Sequence, residues 1–313
     1  MIRRLKALVA LLSAMLVIGA APAPPDPEGS VVPDLVVRAP SGGPAWWKVS
    51  SGPATVWVLG TPAALPKGLR WDDVGLDRRL ARATQVILPP AARFGVFDVF
   101  GALALRGKLR GKPFEAALPP DLTRRYLAAV AALRQTPRHY DGWKPAVAGL
   151  LMVADFRRQA GLDANQPLNA IRAAAGRHRV KAAPAITYPA MPMAKTLAAE
   201  LSGEVNLACL ADALQEIEAG PHRAKASAQA WAVGDVAGAL GAERGFERCL
   251  AALPNGADLV RRTEADQATA IAGALKAPGT AVAVVELRPL LAEGGVLDRL
   301  RAEGYAVRPP GAE

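Results

Sequence analysis

Little in this sequence is suited to metal, redox or nucleophilic chemistry, and each shortage excludes something. The 313 residues include two cysteines and three histidines. No C-x-x-C, H-E-x-x-H, G-x-S-x-G or G-x-x-x-x-G-K-[ST] pattern occurs, so the common zinc, serine-hydrolase and P-loop arrangements are missing. His139, His178 and His222 are never three or four residues apart, the spacing that would place two imidazoles on one helix face. Each stands beside an arginine and reads as a solvated surface side chain. Gly238, Gly241 and Gly245 do not follow a strand and make no dinucleotide fingerprint. After the first two dozen residues, no apolar run is long enough to span a bilayer.

The charge is basic, +10, but it is scattered. No block of five or six like charges marks a nucleic-acid groove. What stands out is the N-terminus. Arg3, Arg4 and Lys6 precede an apolar run from Ala7 to Ala21, then small residues and Pro24-Pro25. That order resembles a cleaved secretory signal; the run is short for a membrane anchor, which needs about 20 residues. Cleavage is expected between Ala20 and Ala23, giving a signal over 1–23 and a periplasmic or secreted product. Loss of the three cations lowers the net charge to +7. The mature chain would not be an integral membrane protein. Cys209 and Cys249, 40 residues apart, would either pair in an oxidising compartment or remain two buried thiols; export favours the pair.

Residues 24–43 are rich in Pro, Gly and Ser and read as a flexible leader, with the folded domain over 44–310. Ala45–Ser50 and Thr55–Gly60 flank Ser51-Gly52-Pro53-Ala54, a hairpin pattern in which Trp47 and Trp57 are read as core. Apolar residues from Trp71 to Ala83 have helical spacing. Thr84–Leu88 reads as a short strand stopped by Pro89-Pro90. An Ala-rich helical middle follows, with helices expected near 121–134, 143–160, 194–219, 222–233, 243–252 and 257–276, and a short strand over 179–182. Thr280–Glu286 is a buried strand, Gly294–Glu303 a helix and Gly304–Val307 a last strand, expected to pair in parallel with the strand before it. The class is therefore α/β (α+β): β-containing portions at both ends form a mixed sheet around a helical middle. Glu286 sits at the carboxyl end of its strand, where open α/β sheets bind ligands; the alternative is an ion pair with Arg288.

Several landmarks occur in a familiar order: Trp46-Trp47-Lys48-Val49, then Val58-Leu59-Gly60-Thr61, Trp143-Lys144-Pro145, Gly161-Leu162-Asp163, Trp231-Ala232-Val233-Gly234-Asp235, and Gly295 to Val307. From about Pro44 to Pro309 the chain resembles the TraB/GumN family. That resemblance implies a metal-dependent hydrolase, as in the TIKI-type proteases, with two Gly-x-x-His motifs and an acidic residue. Here the first motif reads Gly60-Thr61-Pro62-Ala63, with Ala63 in the His place. Pro89-Pro90 stands where the acid is expected, and Arg288 or Pro289 replaces the second His. Alanine and proline have no side-chain lone pair to offer, and arginine repels a cation.

The leading expectation is thus a degenerate, non-catalytic member with no cofactor. Its cleft would be lined by Gly60, Thr61, Ala63, Pro89, Glu286 and Arg288 and bind a small molecule, peptide or glycan fragment, Arg288 holding a carboxylate or phosphate. A second expectation is a hydrolase whose site has moved to His222, Asp235 and Glu286, with a divalent metal such as Mn or Co. A third is a structural protein that binds an envelope partner through an exposed apolar patch.

Overall fold

The computed structural model describes residues 26–40, 42–95 and 98–311; the expected signal segment lies outside them. The hairpin forms as its residues dictate. β1 (Trp46–Ser51) and β2 (Ala54–Thr61) pair antiparallel, Val49 opposite Val56, and the turn uses Gly52 at φ +53°, a conformation glycine adopts without a Cβ clash. A short β3 (Leu65–Pro66) follows, then the Val74–Leu80 helix and β4 (Ala83–Leu88). β4 ends at Pro89, which lacks the N–H a ladder needs.

β5 (Ala91–Arg93), β6 (Leu162–Asp163), β7 (Lys181–Pro184) and β8 (Thr187–Pro189) punctuate the helical middle; β9 (Gly279–Glu286) and β10 (Ala306–Arg308) close the chain. The six-stranded main sheet runs β10-β1-β2-β9-β4-β7. β2, β9, β4 and β7 are mutually parallel neighbours. The run Ala281–Val285 is buried throughout, as a central parallel strand covered on both faces must be. The expected β9–β10 pair is not formed: β10 pairs antiparallel with β1, and β1 and β2 separate it from β9. Strand spacing along the chain cannot reveal that the N-terminal hairpin inserts between them.

One core cluster surrounds the sheet, including Trp47, Val49, Val56, Leu59, Val282 and Leu290. Trp57, expected in the core, is only half-buried; it points the other way and stacks under the guanidinium of Arg79 and the ammonium of Lys48. A second cluster, with Tyr126, Tyr140, Met152, Leu210 and Leu214, fills the helical lobe. There the Pro120–Ala132, Pro145–Gln159 and Gly203–Ala232 helices pack together. The helix expected over 194–219 is broken at Leu201–Ser202 into Ala190–Glu200 and the start of Gly203–Ala232. The latter kinks at Gly220-Pro221, the break its proline requires. Cys209 and Cys249 form a disulfide tying Gly203–Ala232 to the Gly245–Ala252 helix. Among the described residues, no helix is long and apolar enough to cross a membrane.

The segment read as a flexible leader is instead packed from Asp26 onward. Leu35 is fully buried, and its carbonyl accepts a hydrogen bond from Trp47 Nε1 at 3.2 Å. Val32 N–H donates to Leu291 O and Ala39 N–H to Gly234 O, each at 2.8 Å. Average composition hid the cause: Val31, Val32, Leu35 and Val36 give this Pro-rich stretch an apolar side to bury.

Candidate functional site

The parallel strands β2, β9 and β4 end side by side, so their carboxyl ends open one cleft. Ala63, Pro89, Glu286 and Pro289 all line a cavity of about 420 Å³. Its facing wall comes from the Gly245–Ala252 helix, with Phe246, Glu247 and Leu250, and the Gly256–Ala274 helix, with Leu259, Val260, Glu264 and Gln267. Tyr188 on β8 and Asp26 and Glu28 from the N-terminal segment complete the rim. Arg288 borders a smaller adjoining recess with Thr61, Arg244 and Glu286.

Gly60 and Thr61 hold the cleft's frame. A Cβ on Gly60 would lie 2.6 Å from Leu287 Cδ1 and 3.1 Å from Leu290 Cδ2 and Trp47 Cζ3, so any larger residue would have to push these side chains aside. Trp231 Nε1 donates to Gly60 O at 2.7 Å, and Thr61 Oγ1 donates to Val285 O at 3.4 Å.

The cleft holds more carboxyl groups than cations can balance. Arg244 binds Asp26 and Glu28, the latter at 2.6 Å, and Arg157 binds Glu216 at 2.7 Å. Glu247 and Glu286 form no ion pair among the described residues. Glu264, buried to 2% exposure, has only Arg299 at 4.0 Å; its Oε1, like Gln267 Oε1, has no hydrogen-bond partner. Burial pushes the Glu264 carboxyl up to about 8, with Glu28 adding to the rise. Glu286 opens onto the cavity and can meet water there. The surrounding protein, with Glu247 and Glu28 nearby, pushes its carboxyl up to about 7, a push that the cavity's water weakens.

The other sequence-derived candidates fall elsewhere. Glu286 is not paired with Arg288, whose guanidinium donates to Leu240 O at 3.2 Å and Glu28 O at 3.4 Å. Asp235 caps the Val236–Ala239 turn and pairs with Arg38 at 2.9 Å. His222 is exposed. None of His222, Asp235 and Glu286 hydrogen-bonds another. His178, expected to be solvated, is half-buried and bonds Asp77 at 3.0 Å.

A match to the TraB/PrgY/gumN family spans residues 45–309. The chain belongs to this family. No curated protein and no solved structure is significantly similar to it. The metal that the TraB/GumN resemblance implies does not fit the residues present. Ala63 and Pro89 offer no donor, and Arg288 or Pro289 none in the remaining place. Among the described residues, no group of three or more His, Cys, Asp and Glu is placed to hold a metal ion.

Sequence reasoning missed Glu264, Gln267, Glu247, Arg244 and Arg157. A signal existed for two of them: Ala257, Glu264, Gln267, Ala268 and Ile271 share the buried side of one helix, so two polar residues interrupt a core-facing stripe.

Proposed function

We propose that this TraB/PrgY/gumN protein acts outside the cytoplasm, in the periplasm or secreted, as a non-catalytic binding protein whose cleft takes a ligand carrying an amine beside an apolar group. The observation that carries this reading is the pairing of a roomy cleft with unbalanced Glu247, Glu264 and Glu286 along a wall of Phe246, Leu250, Leu259 and Val260. Of a small molecule, a peptide and a glycan fragment, a peptide amine supports the best match: an ammonium beside Glu247 and Glu286, favouring the ionised form of the latter, and a side chain against the wall. Arg3, Arg4 and Lys6 ahead of the apolar run from Ala7 to Ala21, together with the disulfide, support export. Chemistry by His222, Asp235 and Glu286 with Mn or Co gains no support from their separate placements.

Thermal unfolding tests the reading. A ligand at one hundred times its dissociation constant adds about 2.7 kcal/mol, several degrees for a chain this size. Short apolar peptides with a free N-terminus raise the midpoint, and their N-acetylated forms do not. A rise with Mn²⁺ or Co²⁺ alone would restore the metal reading. No response to either peptide form would remove the amine-binding one.

A further inference from the structure

Outside the cleft, the largest gathering of exposed apolar side chains lies on and just before the Asp98–Leu109 helix. Phe94, Val99, Phe100 and Leu103 are 67%, 63%, 77% and 62% exposed. No residue of this helix is buried. It touches the body chiefly along the Ala190–Glu200 helix, which approaches so closely that a Cβ on Gly101 would meet Met191 Cγ at 3.0 Å. With 3.6 residues per turn, Gly101 facing the neighbour leaves Val99, Phe100 and Leu103 turned away. A helix of this length is marginal in water when so little covers it.

The charge around the patch is predominantly positive. Arg93, Arg106, Lys108 and Lys112 are exposed, and none forms an ion pair among the described residues. The nearby Asp98 is engaged by the Gly95 N–H at 2.6 Å. A second copy docked face to face would bring cationic rim onto cationic rim. We propose that this face docks on an anionic lipid surface, the apolar side chains entering the interface and Arg106, on the same side of the helix, meeting headgroup phosphates with the exposed cations near it. The position gives docking a consequence. β5 and β8, which lead into these two helices, also supply Ala91, Ala92 and Tyr188 to the cleft, so the docked protein holds its cleft mouth near the membrane.

Because Cys209 and Cys249 are bridged, Ala104→Cys adds one reactive thiol on the exposed helix, and Ala131→Cys adds one at an exposed position of the Pro120–Ala132 helix. An environment-sensitive dye at 104 shifts to the blue when phosphatidylglycerol vesicles are added at low salt. It does not shift with phosphatidylcholine vesicles. The dye at 131 responds to neither. Phe100→Ser with Leu103→Ser lowers the vesicle affinity at 104 at least about tenfold. The proposal is overturned by no response at 104, by an equal response at 131, or by a response that needs protein concentration and not lipid, which would identify a second copy.

Discussion

Glu264 is a carboxyl buried in an apolar wall with a single distant cation, and its protonation links the cleft to stability. Its folded value, about 8, lies above the ordinary carboxylate range, as does that of Glu286 at about 7. A raised folded value means that the native state holds a proton the unfolded chain has released. The resulting stabilisation is complete below the unfolded pKa near 4.5 and is lost as pH rises through the folded values. The unfolding midpoint should therefore fall between about pH 5 and pH 8. Glu264→Gln, which keeps the neutral shape, should flatten that fall and raise the midpoint at pH 8 by a few degrees, about 2–4 °C for each kcal/mol recovered. Parallel pH profiles of the two proteins would mean that Glu264 ionises freely in the fold. Glu286 was legible from sequence because a strand's end marks its own place. Glu264 and Gln267 were not, because their burial depends on which side of the Gly256–Ala274 helix faces the sheet, and that orientation comes from the packing of Ile271 and Ala268.

At the scale of elements, the hairpin, β4 and β9 were readable because each carries its own pattern: β-branched residues ended by Gly-Pro, Pro-Pro or a charge. Partnership was not readable. β10 joins β1 rather than β9, since the order of a sheet is settled by which edge remains open once β1 and β2 have been placed. The Cys209–Cys249 bridge could be expected from compartment and count, yet only the fold shows what it joins: the long helix of the lobe and the helix that carries Phe246 and Glu247 to the cleft. A closed loop with 40 residues of separation restricts the unfolded chain by about 4 kcal/mol. Replacing both cysteines by alanine should lower the unfolding free energy by up to that amount in a denaturant titration. Amide exchange should speed up first in Gly245–Ala252 and leave β2 and β9 protected. Uniform acceleration across the sheet would show that lobe and sheet open together.

For the molecule as a whole, the N-terminal segment decides whether the cleft has a closed rim. Asp26 and Glu28 are the ion partners of Arg244, Leu35 fills a pocket against Trp47, and backbone bonds from Val32 to Leu291 and from Ala39 to Gly234 fasten the stretch to the C-terminal part of the domain. Its removal exposes apolar core and leaves Arg244 without the carboxylates that offset its burial, a costly state for a guanidinium. Losing a buried leucine side chain alone costs about 2–5 kcal/mol, so a protein that starts at Pro44 should melt at least about 5 °C below one that starts at Asp26. Leu35→Ala in the longer protein should reproduce much of that loss with the rim charges intact. Comparing the two separates packing from electrostatics: if truncation costs far more than Leu35→Ala, the Arg244 cluster supplies the remainder. Equal midpoints for all three would mean that the domain stands without this segment and that the rim serves only the cleft.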